Sequence, residues 1–402
     1  MTAARAAEIV EEVAGRLADP AQVAKLANAV AWHPMSLNEG CLGVALLHSE
    51  LGRREEAQAF LAAAAQARPG RHGLVDGLPA LLFAARAAAS RPGDHGGLLS
   101  RAEPAVRALI KQRVEAETTS RAVRFAAYDV IEGLSGLGRL ALAYGDTEPI
   151  SYLIALTEPI TVDGRPVPGW LVPHACVRGE PNGDGHFNLG LAHGIPGPLA
   201  LLALAYREGY RLPGHERAIE RIVTWLLGWA DGWSWPPAVT LRQELDGAVP
   251  QAPPIRPAWC SGAGGVARAL FLAGDALGRP EWRQAAVRAL RAALARPWDT
   301  WGMVDASLCH GWAGMLHITS RVARESGDTA LLEAADGLAR RVVDAFRPQA
   351  PFGFDYAATD GAEAPLDRVG LLEGAAGIAL ALHCHAGGEP PSTGWDAALL
   401  LN

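Results

Sequence analysis

Apolar positions along the chain fall into two alternating kinds of segment. One kind is apolar nearly all round and opens on small residues: SLNEGCLGVALL, GLVDGLPALLFA, DVIEGLSGLGRL, GLAHGIPGPLAL, AWCSGAGGVARA, SLCHGWAGMLHI and GLLEGAAGIALA. The other kind is amphipathic, with apolar residues at helical spacing and charge on the opposite face, as in PEWRQAAVRALRAALA at Pro280–Ala295. Arg54–Ala67, Leu98–Glu117, Glu216–Ala230 and Asp328–Phe346 read the same way. The first glycines of the apolar copies are Gly40, Gly77, Gly133, Gly194, Gly262, Gly311 and Gly374. Their mean spacing of about 56 residues leaves room for two ordinary helices and their connections.

A helix that is apolar all round belongs inside, and an amphipathic one belongs at the surface. Seven such pairs predict an all-α fold, an α/α toroid of seven helical hairpins with an inner and an outer ring. A linear helical solenoid is the alternative, but solenoids rarely bury one helix of each pair so completely. The whole chain, 1–402, reads as one toroid domain. Residues 147–188 break the pattern. They are rich in Pro, Gly and β-branched residues and predict a small β/loop insertion between the third and fourth repeats.

Half of the 402 residues are hydrophobic, ample for a large core. The net charge of −7 and the lack of a basic run leave no footprint for nucleic acid. Basic residues are almost all Arg, with only Lys25 and Lys111 as lysines, a bias that looks like high-GC coding. The start of the chain is charged and amphipathic without a signal-peptide core, and no stretch reaches the ~18 apolar residues of a membrane span, so a cytoplasmic protein is expected. The five cysteines, Cys41, Cys176, Cys260, Cys309 and Cys384, are odd in number and widely scattered. That argues against a disulfide framework and leaves metal binding or catalysis open.

Aligning the copies on their first glycine locates the chemistry. Three residues earlier the position is always apolar: Leu37, Leu74, Val130, Leu191, Trp259, Leu308, Leu371. The residue just before the glycine is always polar: Glu39, Asp76, Glu132, His193, Ser261, His310, Glu373. In a toroid these polar groups converge around one mouth of the central cavity. Cys260 and Cys309 both stand two before their glycines, and His310 follows Cys309. Two thiolates and an imidazole from adjacent repeats favour Zn²⁺ and leave a fourth position open. His193 shares its repeat position with His310, which points to a functional role rather than a buried structural one. Asp129, four before Gly133, reads equally as a helix cap, and Arg256, four before Cys260, equally as a surface residue. Cys41, Cys176 and Cys384 lie off the polar positions and read as small buried hydrophobes. Glu39, Asp76, Glu132 and Glu373 read as first-turn acids favoured by the helix dipole.

At these residues the sequence resembles the lanthionine synthetase C-like cyclases. The motifs are YDVIEGLSG (Tyr128–Gly136), NLGLAHGIPG (Asn188–Gly197), RPAWCSGAGG (Arg256–Gly265), SLCHGWAG (Ser307–Gly314) and LLEGAAGIAL (Leu371–Leu380). They cover roughly the C-terminal two-thirds, and the first two repeats match only loosely. The resemblance implies a seven-fold α/α toroid with one Zn²⁺ held by Cys260, Cys309 and His310. It implies His193 as acid/base, with Asp129 and Arg256 as active-site partners. The segment 147–188 looks like the family's small β-containing insertion and is expected to handle the peptide. The implied reaction adds precursor-peptide Cys thiols to dehydroalanine or dehydrobutyrine, closing thioether rings. Its implied partners are a dehydrated precursor peptide with its leader and a separate dehydratase, with room for a membrane-associated export complex. Ser261 departs from the family pattern, which has Tyr there, so no aromatic hydroxyl acts at that place. Competing readings are a prenyltransferase-like toroid, a toroidal glycosidase using Asp129 and Glu132, and a peptide-binding scaffold with structural zinc.

Overall fold

The structure, a computed structural model, describes residues 2–27, 32–120, 122–174, 185–247, 255–356 and 367–402. In chain order the elements begin with α1 (Thr2–Arg16), α2 (Pro20–Ala27), α3 (Cys41–Glu50), α4 (Arg54–Ala65), α5 (Gly77–Ala88) and α6 (Gly96–Thr119). Next come α7 (Phe125–Tyr128), α8 (Leu134–Leu142), α9 (Glu148–Leu156), β1 (Ile160–Val162), β2 (Arg165–Val167) and β3 (His186–Asn188). Then follow α10 (Pro196–Arg207), α11 (His215–Gly228), β4 (Ala238–Thr240), α12 (Leu241–Asp246), α13 (Ala263–Ala276) and α14 (Pro280–Ala295). The chain finishes with α15 (Trp312–Ser326), α16 (Thr329–Asp344) and α17 (Ala375–Gly387). Each of the seven apolar copies forms a helix that starts at or within two residues of its first glycine: α3, α5, α8, α10, α13, α15 and α17. Their burial follows from their composition. Every residue from Pro196 to Ala205 of α10 is buried, whereas amphipathic α14 buries only Ala285, Ala286, Ala289, Leu290 and Ala293.

The chain divides into two compact units, residues 1–106 with 302–398, and residues 107–301 with 399–402. In the first, α15 packs on α17, α17 on α3 and α3 on α5, with amphipathic α16 and α4 against α15 and α3. Apolar α17 of the seventh repeat packs on amphipathic α1, which takes the place of its hairpin partner. In the second unit α8 packs on α10 and α10 on α13, each with its own amphipathic partner, α9, α11 and α14.

Within each unit the loops preceding the apolar helices are tied to one another by backbone hydrogen bonds. In the first, Leu37 N–H donates to Val75 O (2.8 Å), Leu371 N–H to Leu37 O (2.7 Å) and Cys309 N–H to Leu372 O (2.8 Å). In the second, Val130 N–H donates to Ala192 O (2.9 Å) and Ala192 N–H to Cys260 O (3.3 Å). All these residues stand two or three before a first glycine, so equivalent positions of successive repeats are brought side by side. The second glycine of the motif makes room for this. A Cβ on Gly265 would lie 2.2 Å from Trp259 O, and one on Gly314 would lie 2.0 Å from Leu308 O.

The insertion begins later than its composition suggests. Residues 148–156, expected to be loop or strand, form α9, because Ile150, Leu153 and Ile154 recur at helical spacing and bury against α8. Pro149 in the first turn costs the helix nothing, since the N–H it lacks has no acceptor there. Beyond it, β1 and β2 form an antiparallel hairpin pairing Ile160 with Val167. β3 pairs with β4, a strand outside the insertion, with His186 opposite Thr240. Cys176 and the rest of 175–184 lie outside the described residues.

Candidate active site and metal centre

The short helix α7 ends where Asp129 turns extended, and this turn aims a buried carboxylate in two directions. Its Oδ1 accepts the backbone N–H groups of Glu132 (2.9 Å) and Gly133 (2.7 Å). Its Oδ2 lies 2.7 Å from His193 Nδ1. One oxygen of Asp129 thus caps the loop before α8 and the other holds the His193 ring. The His193 side chain is 48% exposed against 2% for Asp129, so one face of the imidazole is anchored and another is open. Burial alone would lower the His193 pKa, but the hydrogen bond and charge of Asp129, with Cys260 and Glu132 adding, outweigh it and raise the pKa above the ordinary value. Phe125, at the other end of α7, packs edge-on against the same ring with centroids 5.7 Å apart. His174, in the insertion, packs on the Phe125 ring with centroids 6.0 Å apart.

Cys309 and His310 sit on the loop that leads into α15, and both are partly exposed. Asp305 is buried behind them. Its Oδ1 accepts Ser307 N–H at 2.9 Å, and its Oδ2 faces His310 Nε2 at 3.6 Å. Burial would raise the Asp305 pKa, but His310 and the Ser307 bonds prevail and hold it below the usual carboxylate range. Tyr356 packs against His310 with ring centroids 5.7 Å apart. The Arg368 guanidinium lies 4.4 Å from the centre of the Tyr356 ring and ion-pairs with Glu39 at 3.3 Å and with Glu373. Glu39 and Glu373, expected to be dipole-stabilising acids, are therefore partners of one arginine.

Cys260, partly exposed, precedes α13 at the position equivalent to Cys309. Cys260, Cys309 and His310 are the candidate metal-ligand side chains. Two sulfurs and one imidazole nitrogen suit a borderline-soft cation such as Zn²⁺. The remaining described cysteines differ in kind. Burial pushes the thiols of Cys41 and Cys384 up to about 12, as expected of small core residues.

Arg256 is partly buried on the approach to Cys260. Its carbonyl shapes the loop, accepting Ala258 N–H at 3.0 Å. No hydrogen bond or ion pair among the described residues joins its guanidinium to Asp129 or His193. Asp305, Asn188 and Phe125 escaped the sequence reading. Asp305 and Asn188 both stand six before a first glycine, and both accept an N–H two residues on, Gly190 in the case of Asn188 (2.8 Å). That shared offset was available in the repeat alignment. Phe125 carried no signal, because it belongs to no repeat position.

The model of the family described as lanthionine synthetase C-like protein matches residues 31–400. Over 210 residues the chain is 27% identical to the nisin biosynthesis protein NisC of Lactococcus lactis subsp. lactis. That match covers 48% of this chain and 48% of the relative, so it spans about half the length of that curated protein. Among solved structures, nisin cyclase superposes with a TM-score of 0.77 at 19% identity, over 98% of this chain and 96% of that one. This likeness shows the fold, a helical toroid, as the repeat pattern predicts.

Proposed function

The chain belongs to the lanthionine synthetase C-like family, and we propose that it is a zinc-dependent lanthionine-forming cyclase acting on a dehydrated precursor peptide. The observation that carries this reading is the Asp129–His193 pair at 2.7 Å, a raised-pKa imidazole in a chain that also offers a Cys–Cys–His ligand set. Cys260, Cys309 and His310 are assigned to zinc. Bound there, zinc would favour deprotonation of a peptide cysteine, whose thiol with an ordinary pKa of about 8.5 is mostly protonated at neutral pH.

The sulfur then adds to the β-carbon of dehydroalanine or dehydrobutyrine, and the electron pair moves through the α-carbon to the carbonyl oxygen. A proton must reach the α-carbon. His193 is the assigned donor: Nδ1 is held by Asp129, which leaves Nε2 to deliver the proton. The hydrogen bond and charge of Asp129 favour the protonated imidazole and raise the His193 pKa above its ordinary value. Arg256 is assigned to the developing oxyanion, where a fixed positive charge is most effective. The insertion is assigned to the precursor peptide, supported by His174, which reaches Phe125 beside His193. The dehydrated residues would be made by a separate dehydratase.

Ring closure leaves the peptide mass unchanged and consumes a thiol. The test is to incubate the zinc-loaded protein with a dehydrated precursor peptide, then alkylate and weigh. Loss of alkylatable thiols against a protein-free control is the expected result. Full alkylation with every candidate precursor, alongside tight peptide binding, would favour a scaffold without cyclase activity.

A further inference from the structure

His193 and His310 occupy the same repeat position, yet their rings are held from different sides. His193 receives its carboxylate from another repeat, Asp129, on Nδ1. In the repeat of His193, the residue six before the first glycine is Asn188, whose Oδ1 caps Gly190 N–H at 2.8 Å. In the repeat of His310 the equivalent residue is Asp305, whose Oδ1 makes the same kind of cap to Ser307 at 2.9 Å. A carboxylate at this offset leaves a second oxygen over, and the turn aims it at His310 Nε2, 3.6 Å away. The Asp305 side chain is 1% exposed, so water does not compete for that oxygen.

From this geometry we infer that Asp305 is a positioning residue for the metal centre: it fixes the proton of His310 on Nε2 and thereby presents Nδ1 to the metal. The inference rests on the reading of His310 as a ligand. The physical reason is general. A metal-binding imidazole must be neutral with its free nitrogen toward the ion, and a carboxylate on the other nitrogen selects that tautomer and increases ligand basicity. Tyr356 limits the alternative of a ring flip. It is buried against His310, and its own ring is overlain by Arg368 at 4.4 Å.

Asn188 shows that an amide at this offset can keep the turn, so Asp305→Asn tests the second oxygen alone. Its amide group would either present N–H to His310 Nε2, selecting the wrong tautomer, or flip and lose the Ser307 cap. Zinc affinity, read in the full chain by competition with a chromophoric chelator, is expected to fall about 10–100-fold, with the helical circular dichroism unchanged. Long-range proton–nitrogen spectra of the zinc-loaded wild-type protein need no change at Asp305, and His310→Asn identifies the His310 signals. They should show hydrogen on Nε2 and a metal-shifted Nδ1. A metal-shifted Nε2, or unchanged affinity in Asp305→Asn while His310→Asn loses zinc, overturns this inference and leaves the ligand assignment standing. Wild-type zinc affinity in His310→Asn overturns the ligand assignment, and this inference with it.

Discussion

Asp129 and His193 lie 64 residues apart in sequence and meet at 2.7 Å, one from the loop before α8 and the other from the loop before α10. The backbone bond from Val130 N–H to Ala192 O at 2.9 Å runs alongside. The carboxylate–imidazole contact is thus set by how two neighbouring repeats pair, and the same carboxylate shapes its own loop through Glu132 and Gly133.

Asp129→Asn should separate these two tasks. The amide oxygen can still accept the two backbone N–H groups, but its NH₂ now faces His193 Nδ1. Because the wild-type His193 pKa is raised, the charged pair stabilises the fold below the ordinary histidine value of about 6.5, and this contribution is lost as pH rises through the folded pKa. The substitution should lower the His193 pKa, shift the alkaline limb of the pH–rate profile downward, and slow ring closure by about 10²-fold or more. A nuclear magnetic resonance titration checks it. An unmoved His193 pKa would contradict the role given to Asp129.

His193→Asn should leave zinc bound while ring closure slows by about 10²–10⁴-fold, the usual worth of a general acid or base. Metal analysis and single-turnover rates on the same preparation separate the possibilities. Loss of zinc would make His193 a ligand. A normal rate would hand the proton transfer to another group.

One zinc per chain is expected in the purified protein. Cys260→Ala and Cys309→Ala should each lose it and with it the activity, while helical circular dichroism persists, because most of the apolar core lies in helices that do not depend on the ion. Unchanged zinc content in both variants would remove the assignment.

Two glycine substitutions should differ in sign. In Gly314→Ala the new Cβ would sit 2.0 Å from Leu308 O, a backbone atom of a hydrogen-bonded loop. The melting temperature should fall by several degrees, or the protein should fail to accumulate. Gly15, inside α1, has nothing within 4 Å of its would-be Cβ. There Ala should stabilise by about 0.4–1 kcal/mol, through lower unfolded-chain entropy and better helix propensity. Thermal melts of the two variants decide both.

Much of this was fixed by the order of residues alone. Seven apolar helices, most of the amphipathic ones, and the places of Cys260, Cys309, His310 and His193 follow from a repeat read against itself, because period and burial are local properties of the chain. What required the tertiary structure was everything carried between repeats. α1 serves as the outer partner of α17, and the pattern near either terminus alone could not say so. The helix at 148–156 was hidden by its proline-containing start and revealed by what its apolar face meets. That Asp129 does more than cap its own turn was not legible until its second oxygen was found on His193. Asp305 was indistinguishable from any turn-forming aspartate until its burial and its distance to His310 were known. A carboxylate's second oxygen reaches across space rather than along the chain, so sequence periodicity can locate the residue but only packing selects its partner.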